Sequence, residues 1–367
     1  MFVGSTGSGY QVHSRDAIVD TFVTNRPKRR RGRGKRFLIG LVIVLAVLWC
    51  GYWYAASWVA RQGIERAVAA LSIGGRKVTC TDGGIGGFPL TLNLHCTGAE
   101  VAAGSDHIAG GIGGASARAL LYWPGDVEAS LSGPLTIDAP ALGGVLKASW
   151  TEASAHVDAG FRGLNGVSGT LSAFALDGTG DAAKFPLRHL AVKDASLATG
   201  GDAQGGYRVL ASLHDLVVGG TDNRVLPTFS GDIAITAEKF GSALGLEPGK
   251  TIRAWVATGG AIRVDRLAFS AGPVSASATG ALALSSAGLV SGTLVVRIVG
   301  LDTLADLAET LKPGSHDKVA QVVGGISAFT KPVADGSGAR EINLVIQDGA
   351  IFAGMFPLPF VIPPVKL

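Results

Sequence analysis

The sequence predicts a mainly β fold: an N-terminal transmembrane helix followed by a long, curved, meandering antiparallel sheet, with a helical hairpin inserted near residues 301–332. Three observations predict it. Glycine supplies 54 of 367 residues in a chain that is 47% hydrophobic and only 16% charged. That fits neither a helical bundle nor a disordered chain, because disorder requires low hydrophobicity. Beyond Lys77 the dominant pattern alternates apolar and polar residues, the period of a strand with one wet face. Ahead of all this stands one long uncharged run.

That run, FLIGLVIVLAVLWCGYWYAASWVA, covers 37–60 and holds 24 residues. At 1.5 Å per residue its helix reaches about 36 Å, enough to cross a hydrocarbon core of roughly 30 Å with some tilt. Eight cationic side chains lie between Arg26 and Arg36, among them Arg29, Arg30, Arg31, Arg33, Lys35 and Arg36. Trp49, Trp53 and Trp58 crowd the C-terminal third with Tyr52 and Tyr54, where amphipathic rings favour the headgroup boundary. A cationic flank marks the cytoplasmic side, so residues 1–36 read as a flexible basic tail in the cytoplasm and the rest lies outside. A cleaved signal is the rival, given Ala55-Ala56-Ser57, but the apolar run is too long and too aromatic for one. The arginines serve topology before nucleic-acid binding, and no nucleic-acid partner is expected. The formal charge of +4 is therefore local: residues 61–367 carry 23 basic against 26 acidic side chains.

RQGIERAVAALS keeps Ile64, Val68 and Leu71 at helical spacing. The span is expected to continue as a juxtamembrane helix over 61–74, until Gly74-Gly75 ends it. Residues 75–367 then form the β-rich domain. Leu90, Leu92, Leu94 and Cys96 alternate with Thr91, Asn93, His95 and Thr97, and similar strands follow at 135–139, 232–238, 261–269, 281–286, 292–299 and 340–347. Ser or Thr followed by Gly recurs at Ser132-Gly133, Ser168-Gly169, Ser230-Gly231, Thr279-Gly280 and Ser291-Gly292 without fixed period. This excludes a regular solenoid or propeller and suggests strands that begin at similar glycine turns. In 301–332, Leu301, Leu304, Leu307 and Leu311 keep helical spacing, Lys312-Pro313-Gly314 stops the helix, and Ser315 can cap a second. The proline-rich terminus after Gly354 cannot be a central strand and reads as an extended edge.

Cys50 lies in the span, leaving Cys80 and Cys96 outside. An oxidising compartment favours a disulfide between them, with two buried free thiols as the alternative. Closing the fifteen-residue loop would contribute about 3 kcal/mol in the chain-entropy model. Gly83-Gly84-Ile85-Gly86-Gly87 fails as a dinucleotide loop, since Pro89 occupies the last glycine position and an alternating strand follows instead of a helix. The seven histidines are scattered. His214-Asp215 point to opposite faces of a strand, and Gly166-Val167-Ser168-Gly169-Thr170 fails as a nucleophile elbow at its last residue. Gly249-Lys250-Thr251 ends like a phosphate loop, but Leu244 stands where its first glycine belongs. No catalytic, cofactor-binding or metal-binding residue is expected, and no enzyme.

A basic flank, one span, Gly87-Phe88-Pro89-Leu90 between two cysteines, the stretch GPVSASATGALALSSAGLVSGTLVVRI and a closing DGAIFAGMFPLPFVIPPV together resemble domain-of-unknown-function family 2125, single-pass envelope proteins of alphaproteobacteria. The likeness covers about residues 37–367. In pattern and architecture the chain also looks like the broader AsmA-like envelope proteins, whose long curved sheets are associated with lipid transfer or outer-membrane homeostasis. The resemblance implies a single-pass inner-membrane protein with a cytoplasmic N-terminus and a periplasmic β domain, and it brings no catalytic residues. The partners expected are the inner membrane and a lipid or other apolar chain held on the sheet. The alternative is a closed β core that docks another envelope protein, and a hydrolase of unfamiliar design is more remote.

Overall fold

The structure is a computed structural model and describes residues 33–71, 77–102, 109–139, 144–160, 163–180, 187–220, 226–243 and 248–365. Arg29, Arg30, Arg31 and the expected Gly74-Gly75 stop lie outside the described residues. The chain divides into two units, residues 1–51 and Tyr52–Leu367. Helix α1 (Arg33–Leu71) begins in the first, where Phe37, Val42 and Leu48 are exposed. Its segment Phe37–Gly63, with a mean hydropathy of 2.2, is long and apolar enough to cross a membrane. Arg33, Lys35 and Arg36 open the helix, and nothing breaks it between 60 and 61.

The second unit contains one sheet of 17 strands. In chain order they are β1 (Lys77–Gly86), β2 (Thr91–Ala102), β3 (Ala109–Leu120), β4 (Trp123–Ala139), β5 (Gly144–Ser149), β6 (Glu152–Gly160), β7 (Gly163–Gly180), β8 (Leu187–Gly201) and β9 (Tyr207–Gly220). There follow β10 (Phe229–Ala237), β11 (Ala261–Ala271), β12 (Val274–Leu284), β13 (Val290–Val299), β14 (Lys331–Pro332), β15 (Arg340–Gln347), β16 (Ala350–Ala353) and β17 (Phe356–Val361). Every pairing is antiparallel and most join strands consecutive in sequence, as short glycine-bearing connections dictate. β5 and β6 together form one interrupted strand lying between β4 and β7. Among the described residues β1 pairs only with β2 and β17 only with β16, so the sheet is open at both ends. The prolines at 357 and 359 thus sit in an edge strand, where a missing N–H costs no ladder bond.

Regular pairing lapses along one line across the first nine strands. It runs from Thr81 opposite Gly98, through Gly113 and Gly133-Pro134, to Trp150-Thr151, Ala173, Lys193 and Asp215. Gly98, Ala173 and Asp215 have φ of 66°, 51° and 53°. Such residues kink a strand and sharpen its local twist. The disulfide between Cys80 and Cys96 bridges this line, with Cα atoms 5.7 Å apart.

Two of the recurring Ser/Thr-Gly pairs open a strand, Ser230-Gly231 in β10 and Ser291-Gly292 in β13, whereas Gly133, Gly169 and Gly280 lie well inside β4, β7 and β12. Whatever their place in the strand, Gly280 and Gly292 are required by close backbone approach. A Cβ there would stand 2.1 Å from the Thr293 carbonyl oxygen and 2.2 Å from that of Ala281, so only glycine fits.

Buried apolar side chains concentrate in the second half of the unit. Helix α2 (Pro248–Ala257) packs Trp255 and Val256 on Leu284, with Ile262 and Val290 around them, and Trp255 donates its indole N–H to the Glu238 carbonyl at 2.8 Å. This helix was not expected from sequence, and Gly249-Lys250-Thr251 proves to be its first turn. Two further helices, α3 (Leu304–Leu311) and α4 (His316–Ser327), occupy the segment before β14. Leu301 and Ala305 are buried there, as are Ile342 and Ile346 of β15. Arg340 of β15 donates to the Ser327 carbonyl at 3.1 Å and holds the end of α4.

Candidate binding face

Cross-strand partners share a face of a sheet, so the register sorts the side chains. One row reads Ile85, Leu94, Ala117, Ala129, Ala155, Gly169, Leu197, Ala211, Ile233, Leu267, Ala278, Val296 and Ile342. It crosses thirteen strands without a polar side chain. The adjacent row on the opposite face reads His95, Ser116, Ser130, Ser154, Thr170, Ser196, Ser212, Asp232, Ala268, Ser277, Arg297 and Glu341. Alternation within each strand, carried through a constant register, has made one sheet with two chemically opposite faces.

The polar row is a ladder of hydroxyls. Ser116 and Ser130, Ser154 and Thr170, and Ser196 and Ser212 each lie 2.7 Å apart, oxygen to oxygen. Each pair shares one hydrogen bond between neighbouring strands and stays open to solvent. A hollow of about 580 Å³ on it is lined by His95, Ser116, Arg118, Ser130 and His156, among others. His156 meets Asp126 at 2.8 Å and His214 meets Asp232 at 3.2 Å. These are half-exposed pairs worth at most about 1 kcal/mol each. Further along, Asp265 is held below the ordinary carboxylate range, chiefly by the hydrogen bond from Arg263 and, against its burial, by one from Thr236. Among the described residues no three His, Cys, Asp or Glu side chains gather to hold a metal ion.

The apolar row is covered at one end and bare at the other. Trp255 and Val256 are buried against Leu284 of β12, with Ile262 of β11 and Val290 of β13 around them, and Leu301, Ala305 and Ile342 are buried too. On the bare stretch Leu131, Leu197, Ile233 and Phe269 stay 48, 45, 44 and 49% exposed. Only Leu121, Ala148 and Val192 are fully buried apolar side chains among the described residues between Lys77 and Ala237. Trp150 shields a little of this region, stacking on Phe174 with centroids 6.4 Å apart and donating to the Leu131 carbonyl at 2.8 Å.

The residues singled out in sequence fall into two groups. Cys80 and Cys96 are joined as a disulfide. Trp53, Phe88, Pro89 and Leu90 come together: the Trp53 indole donates to the Thr91 carbonyl at 3.1 Å and meets the Phe88 ring edge-on at 5.6 Å. Tyr52 donates to the Leu121 carbonyl at 3.1 Å. The Gly87–Leu90 turn itself needs glycine, with φ of 98° at Gly87 and a would-be Cβ 2.5 Å from Thr91 Oγ1. Trp58 is exposed and joins no such cluster, and Trp49 belongs to the first unit. The hydroxyl ladder escaped sequence reading, because alternation shows that a strand has a polar face but not which strand's serine lies opposite which.

A family model described as an uncharacterised protein conserved in bacteria, DUF2125, matches residues 53–359. The match begins at Trp53, the residue that clasps the first hairpin, and ends inside β17. No curated protein matches the chain.

Proposed function

The chain belongs to the DUF2125 family of uncharacterised bacterial proteins, and on that premise we propose that it is a non-enzymatic, single-pass protein of the inner membrane whose periplasmic sheet holds a lipid or other apolar chain. The uncovered apolar row carries this reading. Burying a leucine-sized side chain is worth about 1.5–3 kcal/mol, and a contiguous exposed apolar surface is a mark of an interaction site. Leu197, Ile233 and Phe269, on β8, β10 and β11, leave that energy uncollected. The opposite, hydroxyl-lined face supports the same reading, since it gives the sheet a side that water wets.

The test is photocrosslinking in the native membrane. A benzophenone side chain replaces Leu197 or Ile233 on the apolar face, or Ser212 on the polar face, in the full chain. Phospholipid adducts are expected at 197 and 233 and not at 212. Protein adducts at 197 and 233 in place of lipid would favour a docking module, and no adduct at either position would end the lipid reading.

A further inference from the structure

We propose that the turn Phe88–Leu90, between β1 and β2, and the turn Leu121–Tyr122, between β3 and β4, with Trp123 and Pro124 at the start of β4, sit in the headgroup–acyl boundary of the leaflet at the C-terminal end of α1. This rests on the reading of α1 as a membrane span and adds a second, non-helical membrane contact to it.

The reach of α1 fixes the level. A hydrocarbon core of about 30 Å consumes roughly 20 residues of helix at 1.5 Å each. Counted from Phe37, the first residue past the cationic flank, the crossing ends near Ala56. Tyr52 and Trp53 therefore lie in its last turn. Their hydrogen bonds to the Leu121 and Thr91 carbonyls, both 3.1 Å, bring the two turns to the same level. No rearrangement short of breaking those bonds lifts the turns into bulk water.

The turns are chemically suited to that level. Residues 86–92, GGFPLTL, and 119–125, ALLYWPG, contain no charged side chain, and the nearest charges, Arg118 and Asp126, flank the second stretch. Phe88, Leu90 and Tyr122 are 53, 55 and 62% exposed. Aromatic rings with a polar tip, as at Tyr122 and Trp123, favour the membrane interface. An apolar hollow of about 300 Å³ opens beside them, between Tyr122–Gly125 and Ala159–Gly160.

The full chain carrying Cys50→Ser, with the Cys80–Cys96 disulfide kept oxidised, is reconstituted in vesicles of equal parts phosphatidylcholine and phosphatidylglycerol. Spin labels are placed singly at Leu90→Cys, Tyr122→Cys, Val44→Cys within the span and Met355→Cys in the turn between β16 and β17. Collisions with aqueous nickel reagent are expected to fall at 90 and 122 towards the level at 44, while 355 stays fully accessible. Labels at 90 and 122 as accessible as 355, with 44 protected, would overturn the membrane contact and leave the span intact. Accessibility at 44 as well would overturn both.

Discussion

Trp53 and Thr91, 38 residues apart in sequence, are joined by a hydrogen bond of 3.1 Å from the indole N–H to the backbone carbonyl. The bond clasps the first hairpin to the helix. Trp53→Phe keeps the ring contact with Phe88 and loses only the bond, and is expected to cost about 1 kcal/mol. Trp53→Ala removes both and should cost more. Thermal unfolding of the two variants in identical detergent checks the order.

The Cys80–Cys96 bond staples β1 to β2 across the line where regular pairing lapses. Replacing either cysteine by serine is expected to lower stability by about 3 kcal/mol, the loop-closure contribution of a ring this size. The double replacement should cost no more than either single one. Alkylation without reductant must find both sulfurs blocked in the native protein.

Glycines in two settings should respond with opposite sign. Gly280→Ala drives a Cβ onto the Thr293 carbonyl oxygen, and fixed backbone cannot yield cheaply, so about 2 kcal/mol or more should be lost. Gly324 lies within α4, where an added Cβ would meet nothing within 4 Å, so Gly324→Ala should gain up to about 1 kcal/mol of helix propensity. Denaturant midpoints at constant m-value separate the two.

Glu309 caps α4 from the end of α3, its carboxylate accepting backbone N–H bonds from Gly314 at 2.9 Å and from Ser315 and His316 at 3.0 Å. These bonds, Gly314's first, hold its pKa below the usual value. Its contribution is therefore full above the unfolded carboxyl pKa of about 4.3 and is lost as pH falls through the lowered folded value. His316 is raised, chiefly by Asp317, so its contribution is full below about 6.5 and is lost as pH rises through the raised value. Glu309→Gln should lower the thermal midpoint at pH 6 and converge with the native protein under acid. A constant difference across the range would refute the charge-assisted cap.

Trp255→Ala should cost about 3–5 kcal/mol, because it empties the cluster in which α2 meets the sheet. In the native protein, loss of the near-ultraviolet signal that Trp255→Ala abolishes, compared with the far-ultraviolet unfolding curve, reports whether α2 detaches alone or with β11–β13.

Much of this molecule is written in local sequence. Twenty-four uncharged residues behind an arginine run read as a candidate span in any fold, because transfer energies add along a helix without reference to neighbours. Period-two alternation from Leu90 to Thr97, and the helical spacing of Leu304, Leu307 and Leu311, likewise gave strand and helix at those places. Helix α2 was legible in principle, from Pro248 at its start, Ile252, Trp255 and Val256 on one side and Gly259-Gly260 beyond its end. Its likeness to a phosphate loop drew attention to the wrong three residues.

Tertiary structure alone decided which alternations line up. That His95, Ser116, Ser130 and Ser154 form one rank, and Leu94, Ala117, Ala129 and Ala155 the rank beside it on the other face, depends on register over connections of unequal length. Pairing energies that set register act between residues tens of positions apart. The same holds for Trp53 and Phe88: sequence made one an interface aromatic and the other part of a turn, and only the folded hairpin put their rings 5.6 Å apart. Alternation along the chain determined that each strand has a greasy side and a wet side, and three-dimensional pairing determined that the greasy side is continuous and partly left uncovered.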